Sequence, residues 1–303
     1  MNIEWPSETA VEENSTEPHW LHPESNILLD FHGNPQKAKL TVLSDGNHHM
    51  ALESALKAFV KKFPAVEDVF YVTLPPSVLL KIIQHSKIHV GNFTMTVRGD
   101  ILISPNQFVS RVKCNKQFPF AKNKGSVLLV NSKNQKNIAS VNDLLRDDVS
   151  LFISNPVTER VSHLNYRETI CQVMKNMNLD YMSMLERIDG GVGNVIYGEK
   201  IHHREAPSYL RKNLCDVAIV YHHLALRYVK LFPNNFEIIP LDGKTQDPTL
   251  VSGNITNQLS IGALNSENPW TEKALAFLLS ETTKTIYDNH GLDCRAIDCP
   301  TTV

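Results

Sequence analysis

From Lys39 to about Gly291 the chain repeats one local pattern, a short apolar run, a polar turn and an amphipathic helical stretch, and this alternation restricts it to an α/β architecture. LTVL (40–43) reads as a strand, SDGNHH as a turn, and MALESALKAFVKKF as a helix with Leu52, Leu56, Phe59 and Phe63 on one face. VEDVFYVTL is a second strand. Pro75 and Pro76 then stand where helices begin, and SVLLKIIQH continues as a helix. ILIS (101–104), SVLLVN (126–131), SLFIS (150–154), DVAIVY (216–221), FEIIPL (236–241) and LSIGAL (259–264) extend the strand series. Between them fall a short helix near 140–146, a helix through NPVTERVSHLNYRETICQVMKNM opened by Asn155 and Pro156, and one through APSYLRKNL opened by Pro207. TEKALAFLLSETTKTIYDNHG reads as one long helix ending at Gly291, with LDCRAIDCPTTV as a tail. Strands joined by helices of this length pair in parallel through crossovers, so mostly parallel sheets with helices on both faces are expected.

Charge and hydropathy narrow the function classes. The 30 basic and 32 acidic side chains leave a formal charge of -2, which argues against nucleic acid as the main partner, because phosphate neutralisation needs a basic face. No run of about 18 apolar residues occurs, so no membrane insertion is expected. The first 36 residues are polar and acidic, lack a sustained hydrophobic period and read as an extended arm carrying Trp5 and Trp20. They also lack a basic start and an apolar core, so the sequence as it stands implies a cytoplasmic protein, and a periplasmic one if a signal precedes it. Cys114, Cys171, Cys215, Cys294 and Cys299 show no metal-type spacing and read as reduced thiols, with Cys294 and Cys299 close enough to pair in an oxidising compartment.

Five stretches together resemble the type II periplasmic solute-binding proteins, and within them the molybdate, tungstate and sulfate binders. LTVLSDGNHHMALESALKAF is similar to the family's opening strand, ligand loop and first helix, and GDILISPNQFV to its Asp-led apolar strand. GSVLLVNSKNQKNIASVNDLLRDDVSLFISNPVTE is similar to the crossover strand and the ligand loop of the second lobe. CDVAIVYHHLAL and SENPWTEKALAFLLSETTKTIYDNHGL are similar to the closing strand and the C-terminal helices. The likeness covers about residues 37–292. It implies a two-lobed fold with an extension at 1–36, a first lobe at 37–122, a second at 123–254, and a return to the first lobe with a tail at 255–303. The function it implies is binding, not catalysis: a monomer closes about a hinge on a small anionic ligand, without a cofactor, and an ABC transporter membrane component is the partner.

Three turns share one physical character independently of that likeness, a short loop feeding a helix. First-turn N–H groups lack intrahelical partners and lie at the positive end of the helix dipole, so an oxyanion can be held there without Lys or Arg. The candidates are Ser44, Asp45, Gly46, Asn47 and His48 in the first turn, Thr73 and Pro75 in the second, and Asn155, Pro156, Val157 and Thr158 in the third. The alternative is that Ser44, Thr73 and Asn155 simply cap helices. Tyr221 closes a strand where the family directs a phenol into the cleft; a plain buried tyrosine is the other reading.

Asp45 departs from the oxyanion binders, because a carboxylate aimed at a bound anion costs repulsion and desolvation. Either it turns away or the ligand is not a tetrahedral anion. The pairs His48 with His49, His202 with His203, and His222 with His223 offer imidazoles for a transition metal or for hydrogen bonds to an organic anion, with His203 the candidate beside Glu205; surface or capping histidines are the alternative. No HExxH, GxSxG or P-loop motif occurs, and GGVGNVIYG (190–198) follows no expected strand and lacks the glycine spacing of a nucleotide loop. An intracellular ligand sensor is the remaining reading.

Overall fold

The computed structural model describes residues 30–90, 93–191, 193–199 and 201–294. In chain order these begin with β1 (Asp30–His32), β2 (Leu40–Ser44), α1 (His49–Lys62), β3 (Val69–Thr73) and α2 (Pro76–His85). There follow β4 (Lys87–Val90), β5 (Phe93–Thr96), β6 (Ile101–Pro105), α3 (Asn106–Val109), β7 (Lys116–Asn123), β8 (Ser126–Asn131) and β9 (Leu151–Ile153). Next come α4 (Arg160–Asn176), α5 (Tyr181–Gly190), β10 (Val195–Tyr197), α6 (His202–Arg211), β11 (Val217–Tyr221), α7 (His222–Leu231) and β12 (Phe236–Ile239). The last elements are β13 (Gln258–Ala263), α8 (Pro269–Leu278), α9 (Glu281–Asn289) and β14 (Leu292–Asp293). The chain divides into two compact units, the first holding described residues 30–122 and 258–294 and the second Asn123–Asn257.

The first unit is built on a seven-stranded sheet of order β1-β3-β2-β6-β13-β7-β14. β2 runs parallel to β3, with Ser44 opposite Thr73, and parallel to β6, so three carboxyl ends lie side by side along one edge. The period of two explains its two cores. Leu40 and Val42, Val69 and Tyr71, and Ile101 and Ile103 face one side, where Leu52, Leu56 and Phe59 of α1, Leu275 and Phe277 of α8 and Tyr287 of α9 close over them. Leu43, Phe70, Val72 and Leu102 face the other side, against Leu79 and Ile82 of α2. Each fully buried side chain of this size stabilises by about 1.5–3 kcal/mol, more than any single helix propensity, so packing holds these helices in place.

The second unit carries a five-stranded sheet of order β10-β9-β11-β8-β12. β9 is parallel to β10 and β11, whereas β8 is antiparallel to both β11 and β12. Both sheets are therefore mixed, where the alternation of strands and helices predicts mostly parallel pairing. The reason lies in β8 and β13, which follow the two points where the chain passes between units. A strand that arrives without a crossover helix in its own sheet is free to pair antiparallel.

Four local expectations are corrected. Asp30–His32, inside the stretch read as an arm, pairs with β3, while residues 1–29 lie outside the described residues. The long C-terminal helix is two helices, because the Phe277 carbonyl accepts from the Ser280 and Thr283 hydroxyls at 2.6 and 2.9 Å and Ser280 turns extended. The tail begins with β14, whose Leu292 is buried at the edge of the first sheet. α6 starts at His202, five residues before Pro207, which sits inside the helix.

The start of β8 depends on a side chain that imitates a strand. Asn254 Oδ1 accepts the Ser126 N–H at 2.8 Å, and its Nδ2 donates to the Ser126 and Pro248 carbonyls at 2.9 and 3.0 Å. Ser126 is buried, so Asn254→Ala leaves its backbone donor and acceptor unpaired. The expected loss is about 2–4 kcal/mol, read as a lower urea midpoint at unchanged slope.

Candidate functional site

In open α/β sheets ligands bind outside the carboxyl ends of parallel strands, and the first unit places its candidate loops there. β2 ends at Ser44 and hands over to a 3-10 turn, Gly46–His48, that runs directly into α1. β3 ends at the buried Thr73, and Pro75 follows as the exposed N-cap of α2, with Pro76 at the first helical position where no N–H is needed. Gly46 and Asn47 are half-buried. Ser44 and His48 are buried and hydrogen-bond to each other at 3.0 Å, which places the His48 ring inside the core and not at a surface.

Asp45 turns back onto its own loop. Its Oδ1 accepts the Asn47 N–H at 2.9 Å, capping the 3-10 turn, and the carboxyl is buried. Burial pushes its pKa from 3.8 up to about 6, against the opposing pull of the Asn47 hydrogen bonds. Of the two outcomes left open by the sequence, the structure shows the carboxylate engaged within its own turn.

The second unit departs further from expectation. Asn155 Oδ1 accepts the Val157 and Thr158 N–H groups at 2.9 and 3.2 Å, and its Nδ2 donates to the Gly198 carbonyl at 3.1 Å. That side chain closes a turn of its own, so α4 begins only at Arg160 and the stretch from Asn155 through Pro156, Val157 and Thr158 is not a helix start. Val157 and Thr158 are exposed. The next residue, Glu159, accepts the His202 N–H at 2.9 Å and so caps α6. Burial, with Glu205 beside it, raises the Glu159 pKa to about 7.

His203 lies half-buried in the first turn of α6, not in a loop. Pro207 lacks the N–H that would bond the His203 carbonyl four residues back, and the Tyr228 hydroxyl donates to that carbonyl instead. Tyr221 closes β11 as expected but is buried, and its hydroxyl accepts from Asn165 Nδ2 of α4 at 3.1 Å. Its ring lies 4.8 Å from Tyr166 and stacks with His223 at 5.8 Å.

Among the described residues no group of three or more His, Cys, Asp or Glu side chains could hold a metal ion. His49 Nδ1 lies 3.1 Å from the Gly46 carbonyl, and His202 stacks on Phe152 at 5.0 Å, with burial pushing its pKa down to about 3. Burial also lowers His222. The thiols of Cys171 and Cys294 are pushed up to about 11 and 12, and that of Cys215 is raised too, so they are packed side chains and not ready nucleophiles. Cys299 lies outside the described residues. The sequence reading missed Ser104, Ser126 and Ser154, whose buried hydroxyls find no hydrogen-bond partner among the described residues. A signal existed in the hydroxyl residue that bounds each apolar strand, in ILIS, SVLLVN and SLFIS.

Two α/β units, each built on a mixed sheet with polar loops at its strand ends, make up the described chain. Residues 40–293 match the family described as bacterial extracellular solute-binding protein, and the chain belongs to that family. The fold is shared with the sulfate-binding protein SubI of Mycobacterium tuberculosis, 13% identical over 85% of this chain and 87% of that one, with a TM-score of 0.60. Iron-bound HitA of Pseudomonas aeruginosa is 15% identical over 87% and 90%, with a TM-score of 0.56. The periplasmic molybdate-binding protein of Azotobacter vinelandii is 14% identical over 84% and 98%, with a TM-score of 0.52. No curated protein sequence matches the chain. Among the described residues no helix is long and apolar enough to cross a membrane.

The Asp45 environment makes a prediction. Because its folded pKa lies above its ordinary value, proton uptake favours the folded state: that stabilisation is complete below about pH 4 and is lost as pH rises through about 6. Asp45→Asn keeps an acceptor for the Asn47 N–H without the buried charge. At pH 7 it is expected to be more stable than the parent by up to about 3 kcal/mol, the difference vanishing near pH 4 in denaturation curves.

Proposed function

We propose that the protein captures a small anion, with a tetrahedral oxyanion such as molybdate or tungstate as the named candidate, and delivers it to the membrane component of an ABC transporter. Family membership supports capture of a solute over catalysis, and the family's description as extracellular supports action outside the cytoplasm. The observation that carries the anion reading is the orientation of Asp45. Its carboxylate bonds Asn47 within its own turn, which removes the main objection to an anion at the Gly46 end of the loop. Structural neighbours that bind sulfate and molybdate are in keeping with it.

The test is a thermal-shift series on untagged protein with molybdate, tungstate, sulfate, phosphate, small carboxylates and ferric and divalent metal ions. A ligand at about 100 times its dissociation constant adds about 2.7 kcal/mol, roughly 5–10 °C for a chain of this size. A shift of that order with one tetrahedral anion is expected. A response confined to metal ions, or none to any anion, overturns the reading.

A further inference from the structure

Ser44, His48 and Tyr287 form a buried relay that joins the C-terminal helix α9 to the loop after β2, although His48 and Tyr287 stand 239 residues apart in sequence. The Ser44 hydroxyl lies 3.0 Å from the Asp45 carbonyl oxygen and 3.0 Å from His48 Nε2, and His48 Nδ1 lies 2.8 Å from the Tyr287 hydroxyl. Ring contacts hold the imidazole in place, at 5.8 Å from Tyr287 and edge-on to Phe120 at 6.3 Å.

The proton positions follow from donor and acceptor capacity. A carbonyl only accepts, so the Ser44 proton points at Asp45. Ser44 Oγ then accepts the proton on His48 Nε2, and the bare Nδ1 accepts from the Tyr287 hydroxyl. The opposite direction would break the Ser44 bond to the Asp45 carbonyl. Tyr287 thus sets the His48 tautomer, and His48 sets the direction of the Ser44 hydroxyl.

We propose that Tyr287 is a positioning residue for the solute loop, acting through His48 and Ser44 to fix the peptide between Asp45 and Gly46 so that the Gly46 N–H faces the solute. In a planar trans peptide the carbonyl and the N–H point in opposite directions, so drawing the Asp45 carbonyl toward Ser44 turns the Gly46 N–H away from it. There is room on that residue: a Cβ on Gly46 would meet nothing nearer than Thr73 Cβ at 3.9 Å. The proposal rests on the anion reading for the nature of the solute, while the relay itself is a property of the first unit.

The experiment uses the full chain labelled with 15N at histidine and glycine, with sodium molybdate as the probe. The parent is expected to show His48 protonated at Nε2 and bare at Nδ1. Tyr287→Phe, which removes one hydroxyl, is expected to shift the Gly46 amide resonance and weaken molybdate binding roughly fivefold or more, the scale of one hydrogen bond. Ser44→Ala should reproduce both effects with His48 and Tyr287 intact, and Ser44→Thr should restore both; this pair decides the matter if Tyr287→Phe does not fold. A His48 protonated at Nδ1 in the parent, or a Gly46 amide unmoved by Tyr287→Phe and by Ser44→Ala, overturns the proposal. If the parent binds no molybdate the anion reading fails separately, and the tautomer and the Gly46 amide still decide the relay.

Discussion

The requirement that every buried backbone donor and acceptor find a partner organises this protein wherever a strand or helix ends. Inside sheets and helices the ladder meets that requirement. At the ends it does not, and the chain supplies side chains: Asp45 for Asn47, Glu159 for His202, Asn254 for Ser126, and Tyr228 for His203. Each closure lies next to an apolar strand or helix whose burial would be lost if the end frayed. Packing supplies most of the stabilisation, but these polar closures determine where each element stops and hence where each loop stands.

The same requirement gives the strand-end loops their electrostatic character. A carboxylate used as a cap near an apolar core loses hydration, which is why Asp45 and Glu159 both hold protons more tightly than usual. Glu159 gains from lying at the amino end of α6 and loses through Glu205; burial and that like charge outweigh the His202 hydrogen bond. With its pKa at about 7 Glu159 is about half neutral near pH 7, whereas Asp45, at about 6, is mostly ionised there and is held within its own turn by Asn47. Their presence in the loops is therefore compatible with an anionic solute in a way that the sequence alone did not suggest.

Much of the fold could be read from periodicity because central strands such as β2, β6, β8 and β11 are apolar runs and helices such as α1 carry a clear stripe. What escaped the reading was set by contacts distant in sequence. Asp30–His32 carries no apolar run and becomes a strand only because β3 presents an open edge. α8 and α9 share one helical period, and the break between them depends on two hydroxyls competing for the Phe277 carbonyl. Pro207 looked like a helix start because proline is tolerated there; inside α6 it is accommodated by a hydroxyl from α7. Asn155 was read correctly as a capping type of residue, yet it caps a turn, so the helix starts one turn later.

The candidate loops were legible for a different reason than their chemistry. Ser44, Thr73 and Asn155 stand out because polar residues end apolar strands, a pattern that any carboxyl edge must show whether or not it binds a solute. What distinguishes the first loop is the depth of its support: a tyrosine, a histidine and a serine from opposite ends of the chain form one buried line of hydrogen bonds that ends on the Asp45 carbonyl. A cap needs only one side chain to satisfy one N–H, as Asp45 already does for Asn47. A buried three-residue chain of hydrogen bonds goes beyond that need and costs desolvation unless every member is paired in a fixed direction. Such a chain is an arrangement that holds a peptide in one orientation, and the peptide it holds opens the turn at the head of α1.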